Sequence, residues 1–346
     1  MERYTLTLAD AQVAERIKKV KHILKDIKLM VDWSPIAQIL SVTDYRYQNS
    51  TGRDCYSPMI MFYVLLIQRI YGYSDREMES HILGNFIYMW FCDLSFDSPT
   101  PDHVTIHRWR ERFIKFDIYQ QVFDAFNAQL VAKGYILKNA TIVDATLIKS
   151  AARPRKNSVV ATEVYSESDD SKEEVIISSS ISKDEDARWT FKNGEYVYGY
   201  KDHQAVNSDG IITCVITTPA NVHDGNMLPD ILATVKPASG TKVIADKASD
   251  SDKNRELLKK LELQDGLMRR KKPKQPASEE LILFNKSLSS VRFVVERTFG
   301  TLKRMYNLGR SKYLGLQKTH NWCVFGALVY NLSRCRKLTW ESCIQT

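Results

Sequence analysis

At Ala140 the periodicity of the chain changes, and the order of elements beyond that point restricts the fold more than any other property of the sequence. Residues 140–148 read as a short apolar strand. Residues 196–206 and 211–218 read as two further strands joined by the hairpin-type turn Asn207-Ser208-Asp209-Gly210. A helix then begins near His223-Asp224 and carries Leu228, Ile231 and Leu232. Residues 242–246 form another strand, 251–263 a helix, 266–270 a short strand and 283–305 a long helix. Three strands, followed by helix, strand, helix, strand and helix, describe an α/β domain with a mixed sheet and helices on its faces.

That order is the order of the ribonuclease-H-like fold, and two of its strands contain an acid. Thr141-Ile142-Val143-Asp144-Ala145-Thr146 and Val243-Ile244-Ala245-Asp246 each place a carboxylate in an apolar segment. Such a group costs free energy unless it is paired, hydrogen-bonded or metal-bound. If the strands are neighbours, the two carboxylates repel, and a divalent cation relieves the repulsion. Each Asp taken alone also reads as a strand-end cap or an ion-pair partner. On the long helix Arg292, Glu296 and Lys303 stand at i, i+4 and i+11, which puts them on one face over about three turns. The Arg–Glu spacing is equally that of a solvated helix pair.

Charge narrows the kind of partner. The chain of 346 residues carries a formal net charge of +8. Residues 241–346 hold 22 basic and 10 acidic residues, a net of +12, whereas residues 163–186 hold nine acidic and two basic residues among many serines. A concentrated positive block suits a polyphosphate, because each Lys or Arg at a phosphate releases condensed counterions. The acidic stretch reads as a loose surface insertion. Candidate backbone contacts are Arg269, Arg270, Lys271 and Lys272 with Lys274, then Lys247, Arg304 and, after the first strand, Lys149, Arg153, Arg155 and Lys156.

Before residue 140 the pattern is helical. Val13, Ile17, Val20, Leu24, Ile27 and Val31 recur at heptad spacing, which predicts one amphipathic helix within residues 6–31. An apolar run from Met59 to Ile70 is followed by a cap-like Ser74-Asp75-Arg76-Glu77 and a second helix start near Ser98-Pro99-Thr100-Pro101-Asp102. These short helices could form a helix-turn-helix, with Thr105–Arg112 in the groove and Arg108, Arg110 and Arg112 at phosphates or base edges. The same residues also read as a packing helix with ordinary surface charge. The domains expected are an N-terminal amphipathic helix (1–35), a helical DNA-binding domain (36–135), a catalytic domain (136–310) and a C-terminal helical segment (311–346).

Taken together, these motifs resemble the DDE transposases of bacterial insertion sequences, and within them the insertion-sequence-five-like group. That group's glutamate lies in a Tyr-x2-Arg-x3-Glu-x6-Lys signature; this chain has Arg292-x3-Glu296-x6-Lys303, with Ser289 in place of the tyrosine. The phrases TIVDATLIKS and VIADK resemble the first and second aspartate motifs, although Ala248-Ser249 stand where Gly-Tyr is common. Further similarity lies in Tyr198-Gly199-Tyr200-Lys201-Asp202-His203, in the stretch from Thr217 to Asp224, and in residues 56–113.

The resemblance implies that Asp144, Asp246 and Glu296 are catalytic and bind metal. Hard carboxylate oxygens suit Mg²⁺, with Mn²⁺ as a substitute, at two ions per site. It implies cleavage at transposon ends and strand transfer into target DNA. The expected partners are double-stranded DNA, as terminal inverted repeats and target, and further copies of the chain in a homodimer or larger multimer. Arg292 and Lys303 would then bind phosphates. Two other readings stay open: a DNA-binding protein without catalysis, and a nuclease of the same fold that cuts without joining.

Other classes find little support. Six scattered cysteines form no CxxC pair, and the start MERYTLTLAD is unlike a secretion signal, so a cytoplasmic protein is expected, nucleoid-associated in use and with no membrane partner. No phosphate loop, dinucleotide fingerprint or nucleophile elbow is present, and His103 and His107 lack the Glu of a zincin motif.

Overall fold

The computed structural model describes residues 7–44, 55–135, 140–152, 159–165, 172–178, 183–192, 194–271 and 278–344. The chain divides into two compact units: residues up to Leu130 together with those from Leu328 onward, and Val131–Ala327. An all-helical N-terminal region precedes a mixed sheet covered by helices, which is the ribonuclease-H-like α/β arrangement.

The helical region comprises α1 (Leu8–Lys19), α2 (Ile23–Met30), α3 (Ser34–Ser41), α4 (Pro58–Tyr71), α5 (Asp75–Gly84), α6 (Phe86–Phe91), α7 (His103–Lys115) and α8 (Ile118–Ala132). The single helix expected over residues 6–31 is two. Val20 turns extended, and His22 caps α2 by accepting the Leu24 N–H on Nδ1 at 3.3 Å. Ile17, Leu24 and Ile27 are buried on both sides of the break, so the apolar seam runs on although the backbone helix does not. The cap at Ser74 forms as expected, with a reciprocal box to Glu77. Asp102 caps α7 by accepting the Thr105 N–H at 2.6 Å.

The second unit is built on β1 (Ala140–Lys149), β2 (Val159–Tyr165), β3 (Lys172–Ser178), β4 (Arg188–Lys192), β5 (Glu195–Val206), β6 (Ile212–Pro219), α9 (Leu228–Val235), β7 (Lys242–Ala245), α10 (Asp252–Lys260), β8 (Gln264–Leu267), α11 (Glu279–Met305) and the start of α12 (Leu316–Ile344). The sheet runs β6-β5-β1-β7-β8, with β4 taking the part of the β5 edge that β6 leaves. β5 is antiparallel to β1, and β7 and β8 are parallel to it in turn. The β5–β6 turn is the expected one: Asn207 Oδ1 accepts the Ile211 N–H at 2.8 Å and Gly210 takes a left-handed φ of 82°. Part of the acidic stretch expected to be a loose insertion is instead an antiparallel ribbon of β2 and β3.

The two faces of the sheet are covered differently. Val143, Ala205, Val243, Ala245 and Leu267 pack with Leu228, Ile231 and Leu232 of α9 and Leu258 of α10. Strand alternation turns Asp144, Asp202 and Gln204 to the opposite face, where α11 lies along β1 and β7. The inward seam of α11 is Leu288, Val295, Phe299 and Leu302.

One buried acid holds the far end of β1. Asp184, 1% exposed, accepts the hydroxyls of Ser150 and Tyr200 and the Gly315 N–H at 3.0 Å, while its own carbonyl accepts the Tyr198 hydroxyl at 2.6 Å. Each donor stranded in the interior costs about 1–3 kcal/mol. Replacing Asp184 by alanine should therefore lower the unfolding free energy by about 3 kcal/mol or more in urea titration. Asp184→Asn, which keeps an acceptor oxygen, should lose about half of that.

Candidate active site

The parallel pairing of β1 with β7 sets Ile142 opposite Ile244. Two residues further along each chain come Asp144 and Asp246, so the carboxylates emerge side by side. Asp246 follows the last residue of β7 and caps a single 3-10 turn, Lys247–Ser249, by accepting the Ala248 N–H on Oδ1 at 3.0 Å. That turn is clamped from behind. The buried Asn254 amide of α10 donates to the Ser249 carbonyl at 2.9 Å and to the Gly225 carbonyl at 3.0 Å. A Cβ on Gly225 would stand 2.2 Å from the Ala248 carbonyl oxygen, so only glycine allows this approach.

The expected phrase Tyr198 to His203 divides between the two faces of the sheet. Lys201 and His203 turn toward the segment before Gly225. The Lys201 Nζ donates to the Val222 carbonyl at 2.8 Å and lies 3.0 Å from Asp224, and His203 Nε2 meets the Thr218 hydroxyl at 2.9 Å. Burial holds the His203 pKa down to about 4, so this imidazole is neutral at pH 7. Asp202 faces the other way, beneath α11, completely buried. Its Oδ2 accepts the Gln204 amide at 2.7 Å, and burial pushes its pKa up to about 7 against that bond and the nearby charge of Lys303.

Asp144 is enclosed by several groups at once. The Arg292 Nη2 donates to its Oδ2 at 2.8 Å and the Ala145 N–H to its Oδ1 at 2.9 Å. Burial raises the carboxyl above the usual range, Arg292 draws it back, and the charge of Asp246 raises it again. The Asp144 and Asp246 charges therefore sense each other. Arg292 also reaches the Met268 sulfur at 3.5 Å. Glu296, one turn further along α11, is exposed. The structure thus brings Asp144, Asp246 and Arg292 together, while the Glu296 side chain, on the same helix, is exposed. Among the described residues no three His, Cys, Asp or Glu side chains are gathered so as to hold a metal ion. The two neighbouring carboxylates are suitable oxygen donors for a hard divalent cation.

Basic side chains on these elements and the loops after them are open to solvent. Lys247, Arg269, Arg270, Lys271, Lys303 and Arg304 are exposed, as is Lys149 at the end of β1. Two of them have pinned backbones. Asn285 of α11 accepts the Arg269 N–H at 2.9 Å and donates to its carbonyl at 3.0 Å, and the Arg270 N–H donates to Asp250 at 2.6 Å. The Arg270 Nε donates to the Lys247 carbonyl at 2.8 Å, joining the start of the basic run to the turn after Asp246. Lys272, Lys274, Arg153, Arg155 and Lys156 lie outside the described residues.

On α7 only one of the three arginines faces outward. Arg108 is exposed; Arg112 Nε donates to the Thr43 carbonyl at 2.6 Å. Arg110, 8% exposed, is turned inward and bonded to Asp75 of α5 and to Gln68 of α4 at 3.0 Å. It shares the inward face with Ile106, Trp109 and Phe113. The surface role read from its spacing with Arg108 does not fit that burial, because its charge is already matched by Asp75.

The family described as Transposase DDE domain matches residues 136–332, a span that contains β1, β7, the whole of α11 and both strand acids. The chain belongs to the DDE transposase family. A second family, described as a transposase domain, matches residues 12–112 of the helical region of this transposase-family chain. The transposase for insertion sequence element IS1106 of Neisseria meningitidis serogroup B is 36% identical over 227 residues, which cover 65% of this chain and 75% of that protein. No solved structure matches the chain. Among the described residues no helix is long and apolar enough to cross a membrane.

Several site residues in this DDE transposase-family chain are not legible as such in one sequence. Gly225 follows the similar phrase ending at Asp224 and could have been suspected. Asn254 looks like any polar residue of an amphipathic helix, and Gln204 like a strand residue facing water.

Proposed function

We propose that this chain is a transposase of the insertion-sequence-five-like group, which cuts DNA at the ends of its element and joins the freed 3′ ends to target DNA. Asp144, Asp246 and Glu296 are its catalytic carboxylates and hold Mg²⁺, or Mn²⁺ in its place, at two ions per site. When bound, those ions supply activation of the attacking oxygen and neutralisation of the departing one.

The observation that carries this reading is the register of β1 with β7, which sets Asp144 and Asp246 abreast beneath the helix bearing Arg292 and Glu296. Phosphoryl transfer depends on positioning and charge more than on a covalent nucleophile. The chain's own residues therefore mainly hold DNA still. Arg292, Lys303 and Arg304 on α11, with Lys247, Arg269, Arg270, Lys271 and Lys272, take phosphates near the scissile bond, and Arg108 takes one from the helical region. Paired ends are held by a homodimer or larger multimer on the DNA.

Incubating the full chain and Mg²⁺ with duplex DNA ending in the element's terminal repeats, together with a target plasmid, tests the reading. The expected products are a strand cut at the repeat terminus and an end-joined plasmid, both abolished by EDTA and both falling steeply as salt rises. Binding without cutting in Mg²⁺ or Mn²⁺ would instead identify a DNA-binding protein without catalysis. Cutting without joining would identify a nuclease.

A further inference from the structure

The chemistry proposed above needs positive charge against Asp144, and the protein already provides one. The Arg292 guanidinium lies 2.8 Å from Asp144 Oδ2, with 14% and 16% of the two side chains exposed. It stands on the carboxylate that a cation shared with Asp246 would have to reach. Polar satisfaction beneath α11 is incomplete: Arg292 Nε, Gln204 Oε1 and Asp202 Oδ1 are buried without a hydrogen-bond partner among the described residues. Gln204 is the cross-strand neighbour of Asp144, and Asp202 follows on the same face. A buried polar group left unbonded is destabilising, so these atoms favour any rearrangement that gives them partners. Glu296 meanwhile faces solvent one turn from Arg292.

We infer that Arg292 is the resting counter-ion of the acidic pair. In the DNA-free protein it neutralises Asp144 and competes with divalent cations for it, and the site gains its affinity for metal when a DNA phosphate takes the guanidinium. The charges support such an exchange. Asp144 and Asp246 together present two negative charges; Arg292 reduces that to one, and its departure restores the field that attracts a doubly charged ion. A phosphate is a suitable competitor, since it can accept two parallel N–H bonds from the same planar group. Because binding linkage is reciprocal, metal held at Asp144 and Asp246 must also make Arg292 easier to draw away. The chain would then load its metal mainly on DNA, which guards against cutting by the free protein. This inference rests on the reading that Asp144 and Asp246 bind metal.

The test uses Mn²⁺ alone on the full DNA-free chain at pH 8, with affinity read by calorimetry and by the electron paramagnetic resonance of free Mn²⁺. Arg292→Gln should bind Mn²⁺ about tenfold more tightly than the unmodified chain, in line with typical coupling between linked sites. Adding Asp144→Asn should remove the gain. Should Arg292→Gln fail to fold by circular dichroism, Arg292→Lys serves the same comparison: an ammonium without the planar fork should leave Mn²⁺ bound more tightly than in the unmodified chain. If Asp246→Asn abolishes Mn²⁺ binding but neither Arg292 variant strengthens it, the counter-ion role is overturned and the metal site stands. No Mn²⁺ binding in any of these proteins would overturn the metal site, and the counter-ion role with it.

Discussion

Single alanine substitution at Asp144, Asp246 or Glu296 is expected to slow strand cleavage by a thousandfold or more, equivalent to about 4 kcal/mol of transition-state stabilisation, with end-DNA binding nearly unchanged. Phosphoryl transfer gathers charge on the attacking and leaving oxygens, so removing one carboxylate acts on the step itself rather than on affinity. The three variants should differ in stability, and the structure says how. Glu296 is exposed on α11, where alanine is a good helix former, so Glu296→Ala should unfold like the parent. Asp144→Ala strands the Arg292 guanidinium, whose Nε already has no partner among the described residues, and should be destabilised by about 2 kcal/mol or more. Asp246→Ala removes the acceptor of the Ala248 N–H and should lie between them. Cleavage assays beside urea titrations separate the two effects. Retention of cleavage within about tenfold in any one variant would remove that residue from the catalytic set.

The second large effect concerns Asp202, and its sign is unusual for an aspartate. Burial pushes the carboxyl from 3.8 up to about 7. Between pH 4 and 7 the folded chain therefore keeps a proton that the unfolded chain has released. Stability falls as pH rises through that window and levels off above the raised value. Asp202→Asn removes the ionisable group and can keep the bond from Gln204. The variant should match the parent near pH 4 and exceed it by about 4 kcal/mol at pH 8. Denaturant midpoints measured from pH 5 to 8.5 should diverge up to about pH 7 and run parallel above it, and an offset constant over the whole range would mean that Asp202 does not titrate there. The natural residue would thus be retained at a cost to stability, beneath the same helix that carries Lys303.

Asp202 also marks where sequence reading stops. The sheet was largely legible, because β1, β6 and β7 are apolar runs, because Asn207–Gly210 marks the turn between β5 and β6, and because α11 has a continuous inward seam. Asp144 and Asp246 stood out for the same reason, as polar residues in apolar strands. The break between α1 and α2 was hidden, since Ile17, Leu24 and Ile27 keep helical spacing across it. β4 is short, half-buried and confined to one part of the β5 edge, which leaves it without strong alternation. Arg110, Asp184 and Asp202 were indistinguishable from surface charges, because a polar residue in a chain does not reveal that its partner lies elsewhere in the fold. Arg292 shows the limit most clearly. Its spacing from Glu296 suggested that they form a pair, but its guanidinium bonds instead to Asp144, 148 positions away.

The aim of Asp246 is set by parts of the chain that contain no acid of the motif. Gly225 must lack a side chain to let the Ala248 carbonyl approach, and Asn254 must span two carbonyls to hold the turn. Mobile elements accumulate in genomes as copies, and copies decay by random substitution. A decaying copy of this gene can therefore preserve all three acids proposed for catalysis while losing the glycine or the amide that orients one of them. Counting intact carboxylates would score such a copy as live; inspecting positions 225 and 254 would score it as a fossil.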